Sequence, residues 1–165
     1  YKRVNDAFGA AGYMMSHDEI RVWNTCKACS DRHLSAGAVL ADNARACEQV
    51  LAGKQAYVWS DMFDPHHNAH DNYYLVRGDL AGAWDGLSPS TIIVNWNHGQ
   101  RDKSLAFFKS RGHKQIIAAY YDDPSLGSTR EWLQSTHGDD SVIGYMYTTW
   151  NGDYSKLEAF AELCR

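Results

Sequence analysis

Short apolar runs alternate with longer polar or amphipathic segments along the whole chain. Gly12-Tyr13-Met14-Met15, Ala56-Tyr57-Val58-Trp59, Thr91-Ile92-Ile93-Val94, Gln115-Ile116-Ile117-Ala118-Ala119 and Ser141 to Met146 read as strands. Thr91 to Val94 is β-branched and too continuous for a strand with one wet face, so it is expected to be buried on both faces of a parallel sheet. Between the strands, Ser35 to Leu51 carries Ala38, Val39, Ala41, Ala46, Val50 and Leu51 on a helical stripe and stops at Gly53. Ser104 to Ser110, Ser128 to Ser135 and Tyr154 to Leu163 read as further helices, with Phe107, Phe108, Trp132 and Phe160 on core-facing positions. Asp61 to Asp71, which includes Pro65, reads as a long polar loop. This order predicts an α/β fold: a parallel βα succession of about five strands whose right-handed crossovers put the helices outside a curving sheet. A full βα barrel takes about eight strands and ~250 residues. The expected architecture is therefore a partial (β/α)8 TIM-type barrel, or one self-assembled from more than one copy.

Composition narrows the class. With 165 residues and 44% hydrophobic content, the chain can bury one core, so residues 1–165 are expected to form a single domain. Six Trp and ten Tyr exceed the need of a core this size, and such a surplus commonly stacks on flat ligands. A net charge of −4 with no Lys/Arg cluster supplies no attraction for a polyanion, which argues against nucleic acid as a partner. No apolar run approaches the roughly 18 residues of a membrane span. The start at Tyr1-Lys2-Arg3 lacks an apolar signal segment and, beginning without Met, is the start expected of a chain processed or cut from something longer. Nothing in the sequence assigns a compartment.

The chemistry concentrates where the strands end. After Met15 comes Asp18-Glu19, and the later strands run into Trp59-Ser60-Asp61, Asn95-Trp96-Asn97, Tyr120-Tyr121-Asp122-Asp123 and Thr149-Trp150-Asn151. In a parallel sheet these ends share one edge, so acids and indoles converge on one pocket. A pocket of carboxylates walled by aromatic rings suits a sugar. Adjacent strand residues point to opposite faces. Asp18 and Glu19 can therefore serve one ligand together only if the strand has already turned into its loop, one acid donating a proton and the other steering a different part of the ligand.

This succession, with Asp18-Glu19 followed by Trp59, Trp96, Tyr120-x-Asp122 and Trp150 on successive strand ends, resembles the family 20 glycoside hydrolases, the β-N-acetylhexosaminidases. The resemblance covers nearly the whole chain and corresponds to the C-terminal part of that family's catalytic barrel. It implies hydrolysis of N-acetyl-β-hexosaminides with Glu19 as general acid. Asp18 would hold the 2-acetamido N–H while that group's own oxygen attacks the anomeric carbon. Tyr120 would bond the acetamido oxygen, Asp122 a sugar hydroxyl, and Trp59, Trp96 and Trp150 would wall the ring. This substrate-assisted route needs neither a second protein nucleophile nor a cofactor. The implied partners are a carbohydrate and either a preceding half-barrel or a second copy of the chain.

The sequence departs from the family pattern at two places. The family writes His-x-Gly-Gly before Asp-Glu, where this chain has Met15-Ser16-His17, and the acid expected two residues after Trp150 is Gly152, with Asp153 one step further. Asp61 beside Trp59 is an additional acid expected to face the substrate. Other constellations offer different chemistry. His66, His67 and His70 in the Asp61–Asp71 loop suggest a metal-dependent hydrolase as an alternative, although barrel metal sites draw ligands from several strands. A non-catalytic carbohydrate-binding fragment that oligomerises is the other. Cys26 and Cys29 form a C-x-x-C without the second pair that completes a standard zinc site, so they read as loop thiols or a local disulfide, apart from Cys47 and Cys164. Arg21, two residues beyond Glu19, is placed either to pair with a carboxylate or to face solvent.

Overall fold

A computed structural model of the protein describes residues 1–51 and 53–165. The strands are β1 (Gly12–Met14), β2 (Val22–Trp23), β3 (Gln55–Trp59), β4 (Leu75–Val76), β5 (Ile92–Asn95), β6 (Gln115–Tyr121) and β7 (Val142–Thr148). The α-helices are α1 (Lys2–Phe8), α2 (Lys27–Ser30), α3 (Ala36–Leu51), α4 (Arg101–Ser110), α5 (Gly127–Ser135) and α6 (Leu157–Leu163). The main sheet has the order β1-β3-β5-β6-β7, and every neighbouring pair is parallel. All five C-terminal ends therefore lie along one edge.

The expected α/β succession is present, but among the described residues the sheet does not close. β1 and β7 each pair on one side only, and strands that twist by roughly 20–25° from one to the next do not complete a barrel with five members. A separate ribbon pairs β2 with β4 in parallel, two residues each. Neither it nor α1 was legible as periodicity.

Thr91, Ile93, Val94 and Asn95 are all buried, as a strand covered on both faces requires. The apolar interior is divided into two clusters. The first joins Leu40, Val58, Phe63, Leu80, Ile93 and Phe108; the second joins Ile117, Tyr120, Trp132 and Phe160 around β6. Of the aromatic residues expected in the core, Phe108, Trp132 and Phe160 are buried and Phe107 is half-buried.

Helix α3 keeps part of the expected stripe. Val39, Ala41 and Leu51 are buried as expected, together with Ala36, Leu40 and Ala44, whereas Ala46 and Val50 are exposed. The buried face includes a backbone-to-backbone approach. A Cβ on Gly37 would lie 2.1 Å from the Ala81 carbonyl oxygen, and one on Gly86 would lie 2.3 Å from that of Ala41. Small residues on both sides let the helix sit directly on the chain segment between β4 and β5.

Gly37→Ala should therefore lower stability by about 1–3 kcal/mol, the usual cost of overpacking. Gly99→Ala, where an added Cβ meets nothing within 4 Å, is the control. Urea denaturation midpoints that moved equally for both variants would show that the close approach is not a constraint.

Candidate functional site

The loop after β1 is built on unusual backbone. Ser16, His17 and Glu19 adopt φ of 62°, 66° and 45°, a region that favours glycine and costs other residues roughly 1–2 kcal/mol each. The surrounding structure compensates. Met15 N–H donates to Tyr57 O at 2.8 Å, and Trp59 N–H donates to Ser16 O at 3.2 Å. His17 Nε2 and Asn43 Oδ1 are 2.9 Å apart. Ser16 and His17 are the two positions where the resemblance expects glycines, and their left-handed φ values are those that glycine would adopt without strain.

This turn lets consecutive acids face one cavity of about 140 Å³, lined by Asp18, Glu19, Trp59, Trp96, Tyr121 and Trp150. Ala118 and Thr148 complete its floor. The lining spans the loops or C-terminal ends of all five sheet strands. Both acids are exposed to solvent. Arg21 Nη2 lies 2.9 Å from Glu19 Oε2, and its guanidinium sits 5.1 Å over the Tyr74 ring. The Arg21 pKa is raised, chiefly by the Glu19 carboxylate.

Asp61 has a different place from the one expected. Its side chain is fully buried and absent from the cavity lining. Its Oδ2 accepts the Glu19 backbone N–H and the Asn68 amide, both at 2.8 Å, and its Oδ1 accepts the Trp96 indole N–H at 3.2 Å. The carboxylate thus positions two residues of the cavity wall. Burial pushes its pKa up to about 6, against the opposing pull of these hydrogen bonds. The Asp61–Asp71 segment is correspondingly not a solvated loop, since Asp61, Met62, Phe63, Asp64 and Ala69 are buried. Asp64 accepts Asn97 Nδ2 at 3.2 Å and the Ser104 hydroxyl.

Tyr120 also departs from expectation. It lies in the second apolar cluster, its ring stacked on Tyr147 at 4.0 Å between centroids, and Tyr121 lines the cavity instead. The cause is a register shift between Ala118 and Tyr120 against β7. Strict alternation would keep Ala118 and Tyr120 on one face; the inserted residue, Ala119, moves the phase by one. The Tyr120 pKa is raised, first by its hydrogen bond with Tyr147.

Asp122 does not line the cavity. Its carboxylate accepts the Thr149 hydroxyl, the Trp150 N–H at 2.8 Å and the Asn151 N–H at 3.3 Å. These bonds, the Thr149 one foremost, hold its pKa down and fix the loop that carries Trp150. Asp153 is likewise turned away and accepts the Ser155 N–H at 2.8 Å. Asp123, not singled out from sequence, accepts the N–H groups of Ser125 and Ser128, each at 3.0 Å, and its pKa falls to about 2, chiefly through Ser128.

The three loop histidines separate. His66 packs edge-on to Phe107, His67 to Trp96 and His70 to Tyr73. Burial lowers the His67 pKa. Among the described residues, no group of three or more His, Cys, Asp or Glu side chains is arranged to hold a metal ion. No described helix is long and apolar enough to cross a membrane. No protein-family model matches the chain, and no curated protein matches it.

The buried carboxyl makes pH a probe of the cavity wall. An aspartate whose pKa is higher in the fold than in the unfolded chain binds its proton more tightly in the fold, so stability is greatest at low pH and is lost as pH rises through about 6. Relative to Asp61→Asn, the wild type should lose on the order of 3 kcal/mol between pH 4 and 7, since each tenfold change in proton affinity is worth about 1.4 kcal/mol. Parallel pH–stability curves would contradict a buried, titrating Asp61. Ser16→Gly should raise stability by about 0.5–1 kcal/mol by relieving the left-handed backbone, read as an upward shift of the thermal midpoint.

Proposed function

We propose that this domain is a glycosidase of the β-N-acetylhexosaminidase type. It acts on N-acetyl-β-hexosaminides by substrate-assisted retaining hydrolysis. The observation that carries this reading is the shared cavity: neighbouring carboxylates at 18 and 19 face the indoles of Trp59, Trp96 and Trp150. Glu19 protonates the glycosidic oxygen. Asp18 holds the acetamido N–H and orients the acetamide oxygen toward the anomeric carbon. Tyr121, rather than Tyr120, is the phenol within reach of that oxygen. The indoles exclude water from the ring and pack against its apolar face. Asp122 supports Trp150 rather than binding a sugar hydroxyl.

The Glu19–Arg21 pair must open when substrate arrives, because the proton donor cannot remain tied to a guanidinium. Both partners are about half-exposed, and such surface pairs contribute only about 0–1 kcal/mol, so sugar binding readily displaces the arginine. The same pair favours one second reading: a carbohydrate-binding domain in which Glu19 stays paired with Arg21 and no bond is cleaved. The sheet is taken as part of a (β/α)8-type barrel. Its open edges at β1 and β7 are completed by further strands or by a second copy.

Glu19→Gln separates the readings. Turnover of an aryl N-acetyl-β-hexosaminide should fall by about 10²-fold or more when the general acid is lost, while affinity for a thiazoline transition-state mimic is retained. A wild-type protein that binds the thiazoline without cleaving the glycoside supports the binding domain instead. A protein that does neither, whether monomeric or assembled by light scattering, removes both.

A further inference from the structure

The C-x-x-C motif lies outside the cavity and has no part in the proposed hydrolysis. Cys26 stands at the start of α2, and its carbonyl oxygen accepts the N–H groups of Cys29 and Ser30, each at 3.1 Å. That single turn brings the two thiols to the same side, with Sγ atoms 3.3 Å apart and hydrogen-bonded. Cys26 is exposed and Cys29 half-buried; both are free thiols. The turn is anchored at both ends. Before it, Asn24 Nδ2 donates to Arg77 O at 3.0 Å and Trp23 Nε1 donates to Ala36 O at 3.2 Å. After it, Arg32 pairs with Asp42 of α3.

From this juxtaposition we infer that Cys26 and Cys29 form a redox-active dithiol that exchanges with disulfides, Cys26 attacking and Cys29 resolving. The exposed position of Cys26 gives an incoming disulfide access. The inner thiol is already in contact with the sulfur it must join, so closing the ring needs no rearrangement between the anchors. The acidities point the same way. Hydrogen bonds from the Cys29 amide and then the Cys29 thiol hold Cys26 below the usual thiol range, and donation to Cys26 pushes Cys29 up. A low-pKa outer thiol beside a high-pKa inner one is the division of labour that exchange requires.

The step balances with a low-molecular-weight disulfide as oxidant. The Cys26 thiolate attacks one sulfur of the disulfide; the S–S bond breaks, and the departing thiolate takes up the proton that Cys26 released. The Cys29 thiolate then attacks Cys26 Sγ of the mixed disulfide, forms the Cys26–Cys29 bond and expels the second thiol, which takes the Cys29 proton. The dithiol is oxidised by two electrons and the small disulfide is reduced to two thiols.

The experiment uses the wild-type chain in glutathione buffers of graded poise, with acid quenching, alkylation and peptide mass mapping. Cys47 and Cys164 serve as internal references: both are half-buried, and burial raises the Cys164 pKa. Cys26 should react at least about tenfold faster than Cys47, and wild-type protein should accumulate the Cys26–Cys29 disulfide rather than a glutathione adduct. Cys29→Ser should instead trap glutathione on Cys26, and Cys26→Ser should leave Cys29 slow. Reaction of Cys26 at the rate of Cys47, or a mixed disulfide at Cys26 that persists in the wild type, would overturn the inference. The readout is independent of glycoside cleavage, so either proposal can fail alone.

Discussion

The Asp61 carboxylate joins three parts of the chain that are remote in sequence: the loop after β1 through Glu19 N–H, the loop after β3 through Asn68, and the end of β5 through Trp96. Each is a hydrogen bond to a buried, ionisable group, and such bonds are stronger than neutral ones but depend on every partner being present. Burial opposes the charge and the donors oppose burial, and the outcome is a carboxyl with a pKa of about 6. The cavity wall inherits its geometry from that balance. Glu19 and Trp96 are held relative to each other by one side chain that lies outside the cavity lining and is shielded from solvent.

The left-handed turn at Ser16, His17 and Glu19 is the second constraint, and it acts with the first. A strand continued regularly past Met14 would send Asp18 and Glu19 to opposite faces. The turn brings both to the cavity, and the Asp61–Glu19 hydrogen bond fixes the residue at its end. Strain kept in place by surrounding bonds is commonly found where side chains must be presented in a particular way. The absence of glycine from Met15-Ser16-His17 therefore leaves the required backbone shape intact and changes its energetic cost.

Much of this was legible in the chain because the central strands β5 and β6 are largely buried and announce themselves as continuous apolar runs. The aromatic and acidic residues at their ends were readable for the same reason, since parallel strands leave their C-termini on one edge. Other features were not. The Asp61–Asp71 segment read as a polar loop with Asp61 facing the substrate because its side chains are polar by type, whereas Asp61 and Asp64 find their hydrogen-bond donors in the interior. Tyr121 was missed in favour of Tyr120 because an inserted residue in β6 has no composition signature. The β2–β4 ribbon pairs only two residues on each strand, too few to show a period.

The cavity draws its wall from both halves of the sheet. Asp18, Glu19, Trp59 and Trp96 come from the half packed around the first cluster, and Tyr121, Thr148 and Trp150 from the half built on β6 and β7. Whatever occupies that space therefore touches strand ends from both halves of one continuous sheet and acts as mortar between them. Amide protection in β7 should consequently respond to occupancy more strongly than protection in β3, because cooperative opening of the outer half is the event that a bridging guest suppresses.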